Sequence, residues 1–336
     1  MKRVGQYTIA YKNKPVIAGF GSIVGKKEGE GPLKDYFHKI EYDTKIGCDT
    51  WEQAESKLQT EAIQTALEKS NISGKDIDIV FGGDLLNQCI STSYCVRGFN
   101  LPFLGQYGAC STMVQSLLLA GIMVDGGYAK NALAVTSSHF CSAERQFRYP
   151  LEYGGQRTPS AQWTVTGSGS IVVSKSGGNG PILEHCTIGK VVDMGITDIN
   201  NMGAAMAPAA SETIKAFLTD THTSPSDYDL ILTGDLGKIG SELLVELLDK
   251  ENIDIASQHN DCGMMIYNIQ EQDTHAGGSG CGCCGSVLCS IILEKLCQKS
   301  LKNVIVIATG ALMSPTSNQQ GESIPGIAHL VHLKAQ

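Results

Sequence analysis

The chain carries one plan written twice. Residues 76–85 read "DIDIVFGGDL" and residues 227–236 read "DYDLILTGDL". The two stretches are identical at Asp76/Asp227, Asp78/Asp229, Gly83/Gly234, Asp84/Asp235 and Leu85/Leu236. Each is a buried-strand pattern ending in Gly-Asp, and each follows a helical pattern, "EAIQTALEKS" (61–70) and "ETIKAFLTD" (212–220). Downstream, "YAKNALAVTSS" (128–138) answers "SLKNVIVIATG" (300–310), and a Gly/Cys segment opening a helix precedes each. A turn-forming cluster, "SKSGGNGP" (174–181), separates the copies, which sets expected halves at 1–178 and 179–336. Helices alternating with strands predict an α/β fold of parallel sheets with helices layered on them. Matching strand ends should then meet near a pseudo-twofold axis, where a site would lie.

Length and composition narrow the function classes. At 336 residues the chain exceeds one typical core. The net charge of −8 argues against nucleic acid as the main partner, because that function needs a basic face. Four of the twelve cysteines crowd positions 281–289, which is no secreted disulfide framework. No apolar run approaches the roughly 18 to 20 residues of a membrane span. The N-terminal apolar stretches are broken at Lys12, Asn13 and Lys14, so no signal-peptide core is expected. Attachment to a membrane complex from its surface stays open.

Three features bear on chemistry. Cys110, in "YGACSTMVQSLLLAG", stands where a helix begins, and the unsatisfied N–H groups and dipole there can lower a thiol pKa and attract anions. The chain has five arginines, and Arg145, Arg148 and Arg157 fall together in "AERQFRYPLEYGGQR", interleaved with Phe147, Tyr149 and Tyr153. Arginine forks match carboxylates, and aromatic rings stack on flat ligands. The alternative is a surface loop with ordinary ion pairs to Glu144 and Glu152. "CGCCG" (281–285) reads as small residues packing a helix against its pseudo-symmetric partner rather than as a metal site, since adjacent Cys283 and Cys284 do not easily face one ion. "GSGS" (167–170) lacks the lysine and spacing of a phosphate loop and sits on a strand pattern.

A duplicated α/β chain with a cysteine at a helix start resembles the thiolase-like superfamily of thiolases and β-ketoacyl synthases. "YGACSTMVQSLLLA", "TVTGSGSIVVS" and "IPGIAHLVHLK" resemble its nucleophile segment, its Gly-rich strand and its last strand. Within it, "GPLKDYF", "GGDLLNQ", "TSSH", "AERQFRYPLEYGGQ", "GITDINNMGAAMAPAA", "HNDCGMMIY", "AGGSGC" and "ATGALMSPT" together resemble the stage V sporulation protein AD family of endospore-forming bacteria. The resemblance implies a duplicated αβαβα layered fold with two pseudo-twofold-related halves, and a homodimer. It implies binding of dipicolinate (pyridine-2,6-dicarboxylate), as or with its calcium salt, for passage across the spore inner membrane during sporulation or germination. Membrane proteins of the same operon would be the partners, holding the chain at the inner membrane of the forespore or spore.

The resemblance further implies that Asp84, Cys110 and Arg145 line the binding site. Asp84 would accept a hydrogen bond from a protonated ring nitrogen, hold Arg145, or ligate Ca²⁺. Its repeat mate Asp235 keeps a plain strand-end role open. Condensing enzymes of the superfamily need a His and an Asn or His beside the cysteine. Gly234 and Gly278 stand at those places here, and neither can move a proton. His259 and His275 are the candidates to substitute, with satisfied structural histidines as the other reading. The expectation is a binding protein that is no enzyme, has no resident cofactor or metal, and uses Cys110 as a cavity wall. The rival is a Cys110-dependent acyltransferase or condensing enzyme.

Overall fold

Near-continuous apolar runs mark strands covered on both faces, and in this chain they form the central strands. The computed structural model describes residues 2–147, 157–175 and 178–336. The first copy of the plan contributes β1 (Val16–Gly25), β2 (Ile79–Gly83), β3 (Phe103–Gly105), β4 (Asn131–Ser138) and β5 (Gly167–Ser174). The second contributes β6 (Ile182–Thr187), β7 (Leu230–Thr233), β8 (His259–Asp261), β9 (Asn303–Ala311) and β10 (Gly326–Lys334). Their hydrogen-bonded order is β8-β7-β9-β10-β6-β1-β5-β4-β2-β3. Read outward from the middle, β1-β5-β4-β2-β3 repeats as β6-β10-β9-β7-β8. The two sets join through one register pair, Ile182 with Val16.

The duplication reaches individual hydrogen bonds. Asp78 Oδ2 accepts from Lys130 N and Asn131 N at 2.6 and 3.1 Å, and Asp229 Oδ2 accepts from Lys302 N and Asn303 N at 2.7 and 2.9 Å. In each copy the aspartate before the inner strand thus fixes the turn entering its parallel neighbour.

Helices complete the layers. α1 (Trp51–Ser70) begins at a Thr50/Gln53 capping box and covers β1, β4 and β5 from outside. α2 (Ile90–Phe99) lies beside it. α3 (Thr112–Asp125) reads TMVQSLLLAGIMVD and is buried along most of its circumference, with Gln115, Leu119, Ile122 and Met123 half-buried on one side. It touches β2, β4 and β5 in one set and β9 and β10 in the other. α4 (Phe140–Phe147) follows β4, α5 (Met202–Thr221) covers β9 and β10, and α6 (Gly237–Asp249) packs on α5. α7 (Cys281–Val287) is buried at every residue and packs on β1, β4 and β5. The "CGCCG" run is therefore a packing surface, and its main partner is the sheet rather than α3.

The expectation of parallel sheets needs one correction. β2 runs parallel to β3 and β4, and β7 parallel to β8 and β9. β5 is antiparallel to β4 and β1, however, and β10 is antiparallel to β9 and β6. The cause is the connection. After β4, and again after β9, the chain makes an excursion at the strand's carboxyl end instead of crossing back over the sheet, so it must return in the opposite direction. These two excursions wall the candidate site.

Candidate functional site

Between the halves, beyond the carboxyl ends of β2, β4 and β9, lies a cavity of about 340 Å³, the usual place for a ligand in such sheets. Cys110 lines it from the turn that opens α3. The residue before it, Ala109, has φ +50°, a conformation that costs a side chain energy and holds Cys110 at the tip of the turn. The α4 excursion contributes Ala143, Glu144 and Phe147, and the excursion after β9 contributes Leu312, Met313, Ser314 and Ser317. The walls are mainly apolar, with hydroxyls at Thr164, Ser279, Ser314 and Ser317 and a phenol at Tyr107.

The Cys110 environment contradicts the activation that a helix start permits. Burial, and then the neighbouring Asp235 carboxylate, push the thiol well above the usual thiol range. The helix dipole acts only at the margin of that balance, because desolvation of a thiolate is the larger cost. Cys110 Sγ lies 4.0 Å from Ser279 Oγ, which donates to Asp235 Oδ2 at 3.2 Å. Asp235 also accepts from Gly280 N at 2.9 Å and from Thr309 Oγ1 at 2.9 Å.

The three residues expected to share the site are not brought together. Asp84 is fully buried and does not line the cavity among its described walls. Its Oδ1 accepts from Leu86 N at 2.9 Å, and its Oδ2 accepts from Thr92 N at 2.8 Å and Thr92 Oγ1 at 2.6 Å. It is a strand-end aspartate that ties down α2. Arg145 points away from the cavity, with its guanidinium on Glu52 and over the Trp51 ring. Helix geometry explains this: Ala143, Glu144 and Phe147 share the inward side of α4, and position 145 falls on the other. Arg157 is nearly buried and structural, 3.1 Å from Glu144 and 4.8 Å above the Trp163 ring. Arg148, Tyr149, Glu152 and Tyr153 lie outside the described residues.

No histidine, lysine or arginine lines the cavity among the described residues. His259 pairs with Thr233 Oγ1 at 3.0 Å, and burial pushes its pKa down to about 4. His275 lies 3.8 Å from Asp273. Gly234 and Gly278 are tightly packed positions, at which a side chain would force its neighbours to shift. A Cβ on Gly278 would sit 2.9 Å from Ile266 Cγ2, and one on Gly234 would sit 3.1 Å from Ala308 Cα. Sequence reasoning missed Ser279 and Thr309, and it met Asp235 only as the mate of Asp84. The one available signal was the repeated Gly-Asp itself.

A duplicated α/β fold with a cysteine at a helix start facing a cavity at the carboxyl ends of its strands is a thiolase-like fold. Solved structures agree on the fold. The chain matches 3-oxoacyl-[acyl-carrier-protein] synthase III from Aquifex aeolicus VF5 with a TM-score of 0.57 and 14% identity, covering 95% of this chain and 99% of that one. It matches cerulenin-bound Xanthomonas campestris OleA with a TM-score of 0.62 and 14% identity, covering 99% of each. Residues 5–334 match the family described as Stage V sporulation protein AD (SpoVAD). The stage V sporulation protein AD of Bacillus subtilis (strain 168) is 46% identical over 329 residues, covering 98% of this chain and 97% of that protein. The chain belongs to the stage V sporulation protein AD family.

Proposed function

We propose that this protein binds dipicolinate in the cavity at Cys110 without turning it over, for passage across the spore inner membrane. The observation that carries this reading is a cavity with a cysteine at its wall and no basic side chain beside it among the described residues. A nucleophile without a base is a poor catalyst. Phe147, Tyr107 and Met313 in the lining offer apolar surface to a flat pyridine ring, and the hydroxyls of Thr164, Ser279, Ser314 and Ser317 offer hydrogen bonds to carboxylates. Glu144 is already paired with Arg157, so two ligand carboxylates beside the Asp235 behind Cys110 meet no spare cation among the described walls, which favours the calcium salt, whose metal cancels the ligand's charge. Among the described residues no helix is long and apolar enough to cross a membrane. Membrane proteins of the same operon would therefore deliver or receive the ligand, with this protein as a homodimer on the surface of the inner membrane.

The test is a calorimetric titration with dipicolinate, with and without Ca²⁺. Saturable binding that is strongest with Ca²⁺ and falls at least about tenfold in Phe147→Ala is expected. Arg145→Ala separates the two site assignments, since an arginine held by Glu52 should change affinity less than about twofold and one that grips a carboxylate should abolish it. No heat from the unmodified protein under either condition would sink the proposal. The rival, Cys110-dependent acyl transfer, is favoured by the fold's likeness to a 3-oxoacyl synthase. Incubation with short acyl-coenzyme A thioesters would then leave an acyl adduct that is missing in Cys110→Ser.

A further inference from the structure

We infer that Asn87 and Gln146 form a positioning pair that sets the two aromatic walls of the Cys110 cavity, Tyr107 and Phe147. The inference rests on the binding reading above and adds what holds those walls. Asn87 lies in the turn between β2 and α2, and Gln146 in the last turn of α4. Neither is among the described walls of the cavity, yet Asn87 bonds to Tyr107 and Gln146 immediately precedes Phe147, which both are. The direction of every bond follows from one end. A backbone N–H only donates, so Asn87 N, 3.3 Å from Gln146, meets Oε1. Gln146 then presents Nε2 as its second contact, which donates to Asn87 Oδ1 at 3.3 Å. That oxygen has another lone pair, and the Tyr107 hydroxyl donates to it at 3.1 Å. Turning either amide over would set donor against donor, so one arrangement alone satisfies all three bonds.

The backbone is strained to make this arrangement. Gln88 and Cys89, the two residues after Asn87, have φ +58° and +50°, a region costly for residues with side chains. Cys89 Sγ donates to Gln106 O at 3.2 Å, which ties the strained turn to the residue before Tyr107. Ala109, two residues beyond Tyr107, has φ +50° as well. Strain of this kind persists where surrounding contacts over-determine the backbone, and it gathers at ligand sites. The three bonds of the pair are exposed and individually weak, so the walls are fixed by the closed ring rather than by any one of them.

The test reads the walls without dipicolinate. Cys110 is alkylated in the unliganded protein by iodoacetamide and, separately, by N-phenylmaleimide, and peptide mass mapping isolates it from the other cysteines. The ratio of the two rates reports passage of an aromatic ring between the walls, because a change in thiolate fraction alters both rates alike. Asn87→Ala and Gln146→Ala should each raise the phenylmaleimide-to-iodoacetamide ratio about three- to tenfold, the effect of losing one or two net hydrogen bonds. Asn87 is exposed and Gln146 half-buried, so both variants should fold. The double variant should match the single ones, since either removal opens the same ring. Asn87→Asp keeps both acceptor positions and should hold the ratio within about twofold of the unmodified protein. Unchanged ratios in both alanine variants would overturn the inference, even where dipicolinate binds saturably. Raised ratios together with no heat of dipicolinate binding would remove the proposed ligand and leave the positioning pair standing.

Discussion

Asp84 and Asp235 are the same residue in two copies of one plan, and the structure uses them for different ends. Asp84 belongs to a buried polar network, in which Gln59 Nε2 donates to Thr92 Oγ1 and Ser137 Oγ at 2.8 and 2.7 Å. Ser137 and Ser142 in turn donate to Glu55, each at 2.8 Å. Burial, and then the charge of Asp84, push the Glu55 pKa up to about 8. A carboxyl whose folded pKa lies above its unfolded value binds more protons folded than unfolded, so stability is fully present below the unfolded pKa and is lost as pH rises through the folded one. Asp84 is raised too, with the same sign. Denaturant midpoints should therefore fall as pH climbs from about 4.5 to 8, and Glu55→Gln should flatten that slope. A slope unchanged by the substitution would mean Glu55 is ionised throughout. None of this network was legible in the sequence, because Glu55 and Asp84 meet only when α1 is laid on the sheet. Cys110 was legible, since local pattern alone places it at a helix start. The direction of Arg145 is not legible in "AERQF", because the helix phase that turns residue 145 toward Glu52 depends on where α4 begins.

Elements were more legible than single contacts, because repeated patterns carry their own confirmation. The strands at 79–83 and 230–233, and the helices that feed them, follow from periodicity. Strand direction did not follow, because the excursions after β4 and β9 contain too little regular pattern to show that they fail to cross the sheet. The glycines of α7 and β5 show what the Gly-rich composition is for. A Cβ on Gly169 would lie 2.2 Å from the Gly285 carbonyl oxygen, so the helix can approach the strand only if both are bare. Gly169→Ala should therefore destabilise by about 2 to 3 kcal/mol, the usual cost of forcing a core apart. Gly98, exposed on α2 with nothing within 4 Å of its Cβ position, is the control. Gly98→Ala should stabilise by up to about 1 kcal/mol through helix propensity. Equal effects at the two sites, read by urea denaturation, would show that the contact between α7 and β5 does not limit stability.

At the scale of the molecule, the sheet has one end that ordinary solubility rules leave unexplained. β3 closes the strand order, and its outer edge pairs with no strand among the described residues. Edge strands that stay bare are normally guarded by charge, proline or a bulge. This one reads FLG, with Leu104 52% exposed. Tyr107, two residues beyond it, is also 52% exposed and at the same time lines the Cys110 cavity. A second copy pairing its β3 against this one across a twofold axis would cover both residues and satisfy the open backbone groups. Sedimentation equilibrium should accordingly give twice the chain mass of 35.8 kDa, and Leu104→Lys, which puts a charge into that seam, should give the monomer. Because Tyr107 belongs to the edge and to the cavity wall, the monomeric variant should also bind dipicolinate several-fold more weakly, although residue 104 does not line the cavity. An unmodified protein that sediments as a monomer at micromolar concentration would refute the pairing. A Leu104→Lys monomer with undiminished affinity would instead confine the pairing to assembly and show that each cavity is complete within one chain.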